Sequence, residues 1–138
     1  ALETPPLAID MRSKWSKDIL QNITNNILEN NGQYRLLLVF GPQQLEPDIR
    51  LMESLRKNEA KLQEKGVSVM VYSVDRMERP APVLHSVSYR AGIPLWERAT
   101  AYPVVFLFGK NDELLFSTEG VYLGVLELIL KKCSIDEN

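Results

Sequence analysis

The chain has 138 residues and a mass of 15.7 kDa, the size of one domain, so a second independent core is not expected. With 45% hydrophobic and 25% charged residues its composition is that of a globular protein, not a disordered or fibrous one. Lys plus Arg total 16 against 18 Asp plus Glu, a net charge of -2, which argues against a surface built to neutralise nucleic-acid phosphates. No apolar run approaches the ~20 residues of a membrane helix. A single cysteine excludes an internal disulfide, a paired-thiol site and a zinc cluster.

The sequence begins at Ala1, as a processed chain or a segment of a longer one would. Residues 1 to 10, with Pro5-Pro6, read as an extended lead-in. From Ser13 to Asn30, Trp15, Ile19, Leu20, Ile23, Ile27 and Leu28 recur at helical intervals, and Asn30-Asn31-Gly32 is a stop signal. Asn22-Ile23-Thr24 forms a sequon, making Asn22 a glycosylation candidate in a secreted chain. Trp15 and this helix are expected to cover one face of a sheet, which would otherwise stay open. An alternative role for them is partner binding.

Tyr34 to Phe40 (Y-R-L-L-L-V-F) is apolar on both faces of a strand, the pattern of a buried central strand. Gly41-Pro42 ends it. One helix then runs from Pro47, with Asp48 near its positive end and Ile49, Met52, Leu55 and Leu62 facing inward. Gly66 is its expected C-terminal cap. Val67 to Val74 is the next strand, with Val69 and Val71 on one side and Met70 and Tyr72 on the other. Strand, helix and strand make a right-handed parallel βαβ unit.

Pro80 and Pro82 interrupt regular structure, and a short helix is expected between Val83 and Thr100. Pro103 introduces a third apolar strand, Val104 to Phe108. Gly109-Lys110-Asn111-Asp112 supplies turn chemistry for an antiparallel return over Glu113 to Ser117. After Gly120, Val121, Val125, Leu128 and Ile129 share a helical face that ends near Lys131-Lys132.

This order, with Pro103 directly before the third strand, resembles a thioredoxin-fold domain. Leu36-Leu37-Leu38-Val39-Phe40, the following loop and the helix from Pro47 are similar to the strand, active loop and helix of thioredoxins. Tyr102-Pro103-Val104-Val105-Phe106-Leu107-Phe108-Gly109-Lys110-Asn111-Asp112-Glu113 resembles their cis-proline strand and hairpin. The runs R-L-L-L-V-F-G-P and V-S-V-M-V-Y look most like a thioredoxin-like domain of unknown function found in bacterial exported and vertebrate extracellular-matrix proteins. The resemblance implies an α/β, four-stranded mixed sheet, parallel βαβ plus antiparallel ββα, flanked by helices. It divides the chain into an extension packed on the core (1–33) and a thioredoxin-like domain (34–138), in a secreted or periplasmic protein.

The departure from that family concerns sulfur. Where thioredoxins carry Cys-x-x-Cys, this chain has Gly41-Pro42-Gln43-Gln44-Leu45-Glu46, and a peroxidatic cysteine is missing too. Dithiol chemistry needs an activated thiolate and a resolving thiol. The resulting expectation is a redox-inactive binding or scaffolding module without a cofactor. Its protein or peptide partner would meet Pro42, Gln43, Gln44, Glu46, Tyr102 and Pro103, the last carrying a cis bond in the family.

Two alternatives stay open. One is an enzyme that borrows the sulfur of a glutathione-like cofactor in the same cleft. The other is a homo-oligomer bridged by Cys133, placed beyond the last helical turn with Lys131 and Lys132 favouring its thiolate. His85 has no triad evident around it, and Asp75-Arg76-Met77-Glu78-Arg79 with Arg90 and Arg98 reads as a mixed-sign solvated surface. No phosphate-binding or dinucleotide fingerprint occurs.

Overall fold

A computed structural model describes residues 12–26, 33–41, 46–73, 87–91, 103–120 and 125–136. A 3-10 turn at Arg12–Lys14 leads into α1 (Lys17–Asn26). There follow β1 (Tyr34–Phe40), α2 (Glu46–Lys57), α3 (Glu59–Glu64), β2 (Val67–Ser73), β3 (Val87–Ala91), β4 (Val104–Phe108), β5 (Leu114–Glu119) and α4 (Val125–Asp136). The sheet order is β3-β2-β1-β4-β5. β1 pairs parallel with β2, and β4 is antiparallel to both β1 and β5. The four expected strands therefore form the expected mixed sheet.

A fifth strand joins it. Where a short helix is expected within 83–100, Val87–Ala91 lies parallel to β2, from Val69 opposite Val87 to Ser73 opposite Ala91. V-S-Y-R-A is rich in strand-forming types, and the free edge of β2 offers it a ladder that no local signal reveals. The rest of that segment lies outside the described residues.

Alternation along the central strands sends side chains to two cores. Leu36, Leu38 and Phe40 of β1 join Val105 and Leu107 of β4 on one face, beneath Met52, Leu55, Leu62, Ile129 and Cys133 of the helices. Leu37 and Val39 join Val104, Phe106 and Phe108 on the other, together with Met70, Tyr72, Trp15 and Ile23. All seven residues of β1 and all five of β4 are buried.

Helix ends depart from periodicity for local reasons. The first helix starts at Lys17 because Ser16 caps it: its Oγ accepts the Ile19 N–H at 3.2 Å. The single helix expected after Pro47 breaks at Asn58. There the side-chain amide donates to the Ser54 carbonyl at 2.8 Å, an acceptor the backbone N–H also uses at 3.2 Å. Gly66, with φ of 75°, ends the second piece and accepts the Tyr34 N–H, so β1 starts beside β2. The last helix continues to Asp136 instead of stopping near Lys131-Lys132.

Two long-range polar ties lock the far end of β1. Tyr34 donates its hydroxyl to the Cys133 carbonyl at 2.8 Å, satisfying one of the last four carbonyls of α4, which have no partner within the helix. Arg35, 2% exposed in an otherwise apolar strand, donates from Nη2 to the Gly109 carbonyl at 2.6 Å and to the Asp112 carboxylate. Asp112 sits at φ of 61°, a conformation Asp tolerates in a tight turn.

Tyr34→Phe should cost about 1–3 kcal/mol by leaving a buried carbonyl without this donor, measured by urea unfolding at neutral pH. Asp112→Asn keeps the turn but removes the charge facing Arg35. Because Asp112 is half exposed, the loss should be ~1–2 kcal/mol, less than for a fully buried pair. Arg35→Met, which removes the buried charge itself, should destabilise less than Asp112→Asn. The opposite ranking would show that the guanidinium contributes through its bond to the Gly109 carbonyl and its packing more than through its charge.

Candidate functional site

The pairing of β1 with β4 decides which loops meet. Val39 lies opposite Val104, so the chain leaving β1 at Gly41 passes the chain entering β4 at Pro103. The end of β2 is level with it, since Phe40 pairs with Ser73. The end of β5 is too, since Glu119 pairs with Val104. α2 starts at Glu46, five positions after Gly41, and the positive end of its dipole is its N-terminal end.

Of the six residues expected to contact a partner, the described portion contains Pro103 and the backbone of Glu46. Pro103 is buried, and its carbonyl accepts the Gly120 N–H at 2.9 Å, tying the entry of β4 to the exit of β5. Pro42, Gln43, Gln44 and Tyr102 lie outside the described residues, as does His85. Asn22 lies within α1 and is partly exposed.

Cys133 corrects the reading of an accessible thiol past the last turn. It sits inside α4, is fully buried and belongs to the core under that helix. Its carbonyl meets Tyr34 at the start of β1, and β1 is seven residues long. Gly41 follows the last residue of that strand, roughly 20 Å along the backbone from Tyr34. An intermolecular disulfide through it would require α4 to leave the sheet. Apolar burial also removes the positive, open surroundings that favoured a thiolate.

Two features of this end escaped sequence reasoning. Glu119 is 1% exposed and ion-paired with Lys14. Ser117, fully buried, accepts the Trp15 indole N–H at 2.9 Å. S-T-E-G reads as the polar end of a hairpin, and no pattern in it signals that Ser117 and Glu119 share a covered face. Thr118 points to the opposite face with its hydroxyl lacking a partner among the described residues.

A cleft of about 500 Å³ is lined by Arg12, Ser13, Leu20 and Leu114. Leu114 is the first residue of β5 and Glu119 the last, so the cleft sits toward the other end of that strand from Pro103. Among the described residues no three His, Cys, Asp or Glu side chains gather as a metal-ligand set, and no helix is long and apolar enough to cross a membrane.

No family model matches the sequence, and no curated protein matches it. Solved structures do match the fold. A chain from Chlorobium tepidum described as a thiol:disulfide interchange protein, DsbE, is similar over 100% of both chains, with TM-score 0.63 and 16% identity. A thioredoxin-like protein from Porphyromonas gingivalis is similar over 81% of each chain, with TM-score 0.61 and 20% identity. Peroxiredoxin Q from Xanthomonas campestris is similar over 79% of this chain and 83% of its own, with TM-score 0.63 and 6% identity. At these identities the likeness is one of architecture: the chain has a thioredoxin-like fold.

Proposed function

We propose that this chain is a redox-inactive thioredoxin-fold module that binds a protein or peptide partner. Contact is made at the edge formed by Pro42, Gln43, Gln44, Glu46, Tyr102 and Pro103. One observation carries the reading: the segment from Gly41 to Glu46 holds no sulfur, and the single thiol is buried at the other end of β1. A thioredoxin-like fold brings a loop, a helix N-terminus and the entry of a strand together, which suits capture of an extended backbone. With the thiol pair gone, binding without exchange is what this end can still do. Residues 1–33 act as an extension of the domain at 34–138.

The kinship within the superfamily is to the thioredoxin-like domain of unknown function that the R-L-L-L-V-F-G-P and V-S-V-M-V-Y runs resemble. The setting is an exported protein, secreted or periplasmic, with Asn22 a glycosylation acceptor in a eukaryotic host. These readings are supported by the sequon and by similarity in fold to a DsbE chain.

Insulin reduction with dithiothreitol should proceed no faster with this protein than without it, and clear turnover would overturn the redox-inactive assignment. Peptides selected by phage display against the chain should shift the amide resonances of Gly41 and Gly120. Selected peptides that leave both unmoved would place the binding face elsewhere. Titration with glutathione should give no heat at millimolar concentration, whereas saturable binding would favour an enzyme using a thiol cofactor. Cys133 should resist Ellman's reagent in the native protein and react once urea unfolds it.

A further inference from the structure

Alternate residues of β5 face opposite cores, and Thr118 takes the face of Phe116, beneath α4. Ser117 between them turns the other way, to the Trp15 indole. Thr118 is 0% exposed, and its Oγ1 has no hydrogen-bond partner among the described residues. Its cross-strand partner is Val105, which in turn pairs with Leu38. Val105, Leu38 and Phe116 all belong to the apolar cluster that α4 covers. A hydroxyl left without a partner in such surroundings is costly, and native proteins keep few of them.

The start of α4 comes to the same level of the sheet. That helix follows Gly120, at the Pro103 end, and reaches Tyr34 at the opposite end through the Cys133 carbonyl. About 12 Å of helix separate Val125 from Cys133. Laid along β1 from Tyr34, that length spans roughly four residues and reaches Leu38. Leu38 is the position in line with Val105 and Thr118. Val125 and Leu126 are buried in the same cluster. The first four N–H groups of an α-helix have no acceptor inside it, and they form the positive end of its dipole. Thr118 thus aims its hydroxyl at the first turn of a helix of 12 residues.

We infer that a single water molecule is held between the Thr118 hydroxyl and the first turn of α4. The water accepts N–H groups from the helix and donates a proton to Oγ1, reaching the two to four polar contacts that a buried water needs. An anion such as chloride could also accept from these donors. A net charge in a fully covered apolar layer is far more costly than a neutral molecule, so the geometry favours water. The site lies one pair in from the bond between the Gly120 N–H and the Pro103 carbonyl. The joint between β5 and α4 is then a polar bridge set behind the Pro103 edge, in a layer otherwise held by apolar contact. This bridge needs no ligand at that edge and stands apart from the proposed function.

Oxygen-17 relaxation dispersion of the solvent registers long-lived internal waters and is blind to hydroxyl proton exchange. Measured on the full chain, Thr118→Val should lose the contribution of one water, whereas Thr118→Ser, which keeps the hydroxyl, should retain it. An unchanged amplitude in Thr118→Val would overturn the site, and an equal loss in Thr118→Ser would trace the effect to the methyl group and overturn it too. In urea, Thr118→Val should raise the unfolded-to-folded ratio roughly three- to tenfold, the worth of a lost hydrogen bond. A valine chain as stable as wild type would mean that the hydroxyl holds nothing. Chloride titration should leave the Thr118 and Leu126 amide resonances in place, and saturable shifts would assign the site to an anion instead. Where Thr118→Val does not fold, wild type alone decides: water should show nuclear Overhauser contacts to the amides of Val125, Leu126 or Glu127, and their absence would sink the proposal.

Discussion

The structure depends on β1 and β4 being buried on both faces. Each fully buried aliphatic or aromatic side chain contributes about 1.5–3 kcal/mol relative to exposure, and these two strands supply most of the shared wall between the cores. A two-faced apolar strand cannot be served by helices on one side alone. The helices α2, α3 and α4 cover the face of Leu36, Leu38 and Phe40, so the face of Leu37, Val39 and Phe106 requires cover from elsewhere in the chain. Trp15 and Ile23 supply part of it, which makes the N-terminal segment part of the core's packing.

Burial on both faces also makes polar groups consequential. Arg35, Ser117, Thr118 and Glu119 are all buried, and the first, second and fourth are tied to groups distant in sequence. With Tyr34 and Cys133, these ties join the beginning of the chain to its end at several points along the sheet. Each is modest in net free energy, but each fixes register, since a slip of one residue would turn Arg35 or Glu119 toward the wrong core.

The same packing separates fold from chemistry. The crossing of Gly41 past Pro103 belongs to an architecture that this chain shares with a chain described as a thiol:disulfide interchange protein and with a peroxiredoxin. Thiol exchange requires an activated thiolate, and in this chain the segment from Gly41 to Glu46 carries glutamines and a proline and no cysteine. A fold can host many sites, and the identity of the atoms at the crossing decides which chemistry is open to it.

β1, β2 and β4 were legible because an apolar run on both faces of a strand is a local property of seven or five residues, and β5 was legible from the turn that precedes it. The hairpin of Gly109 to Asp112 and the Gly66 cap were legible because turn chemistry is equally local. So was the lack of thiols at Gly41 to Glu46. Only the tertiary structure decided that Val87–Ala91 is a strand, because the edge of β2 that recruits it lies some eighteen residues away in sequence. It alone put Cys133 on the buried face of the last helix with its carbonyl at Tyr34, and gave Glu119 its lysine, pairings that span 99 and 105 positions. Periodicity reports which face a residue takes within its own element, whereas the partner it meets on that face depends on how distant elements stack, and no short window of sequence contains that information.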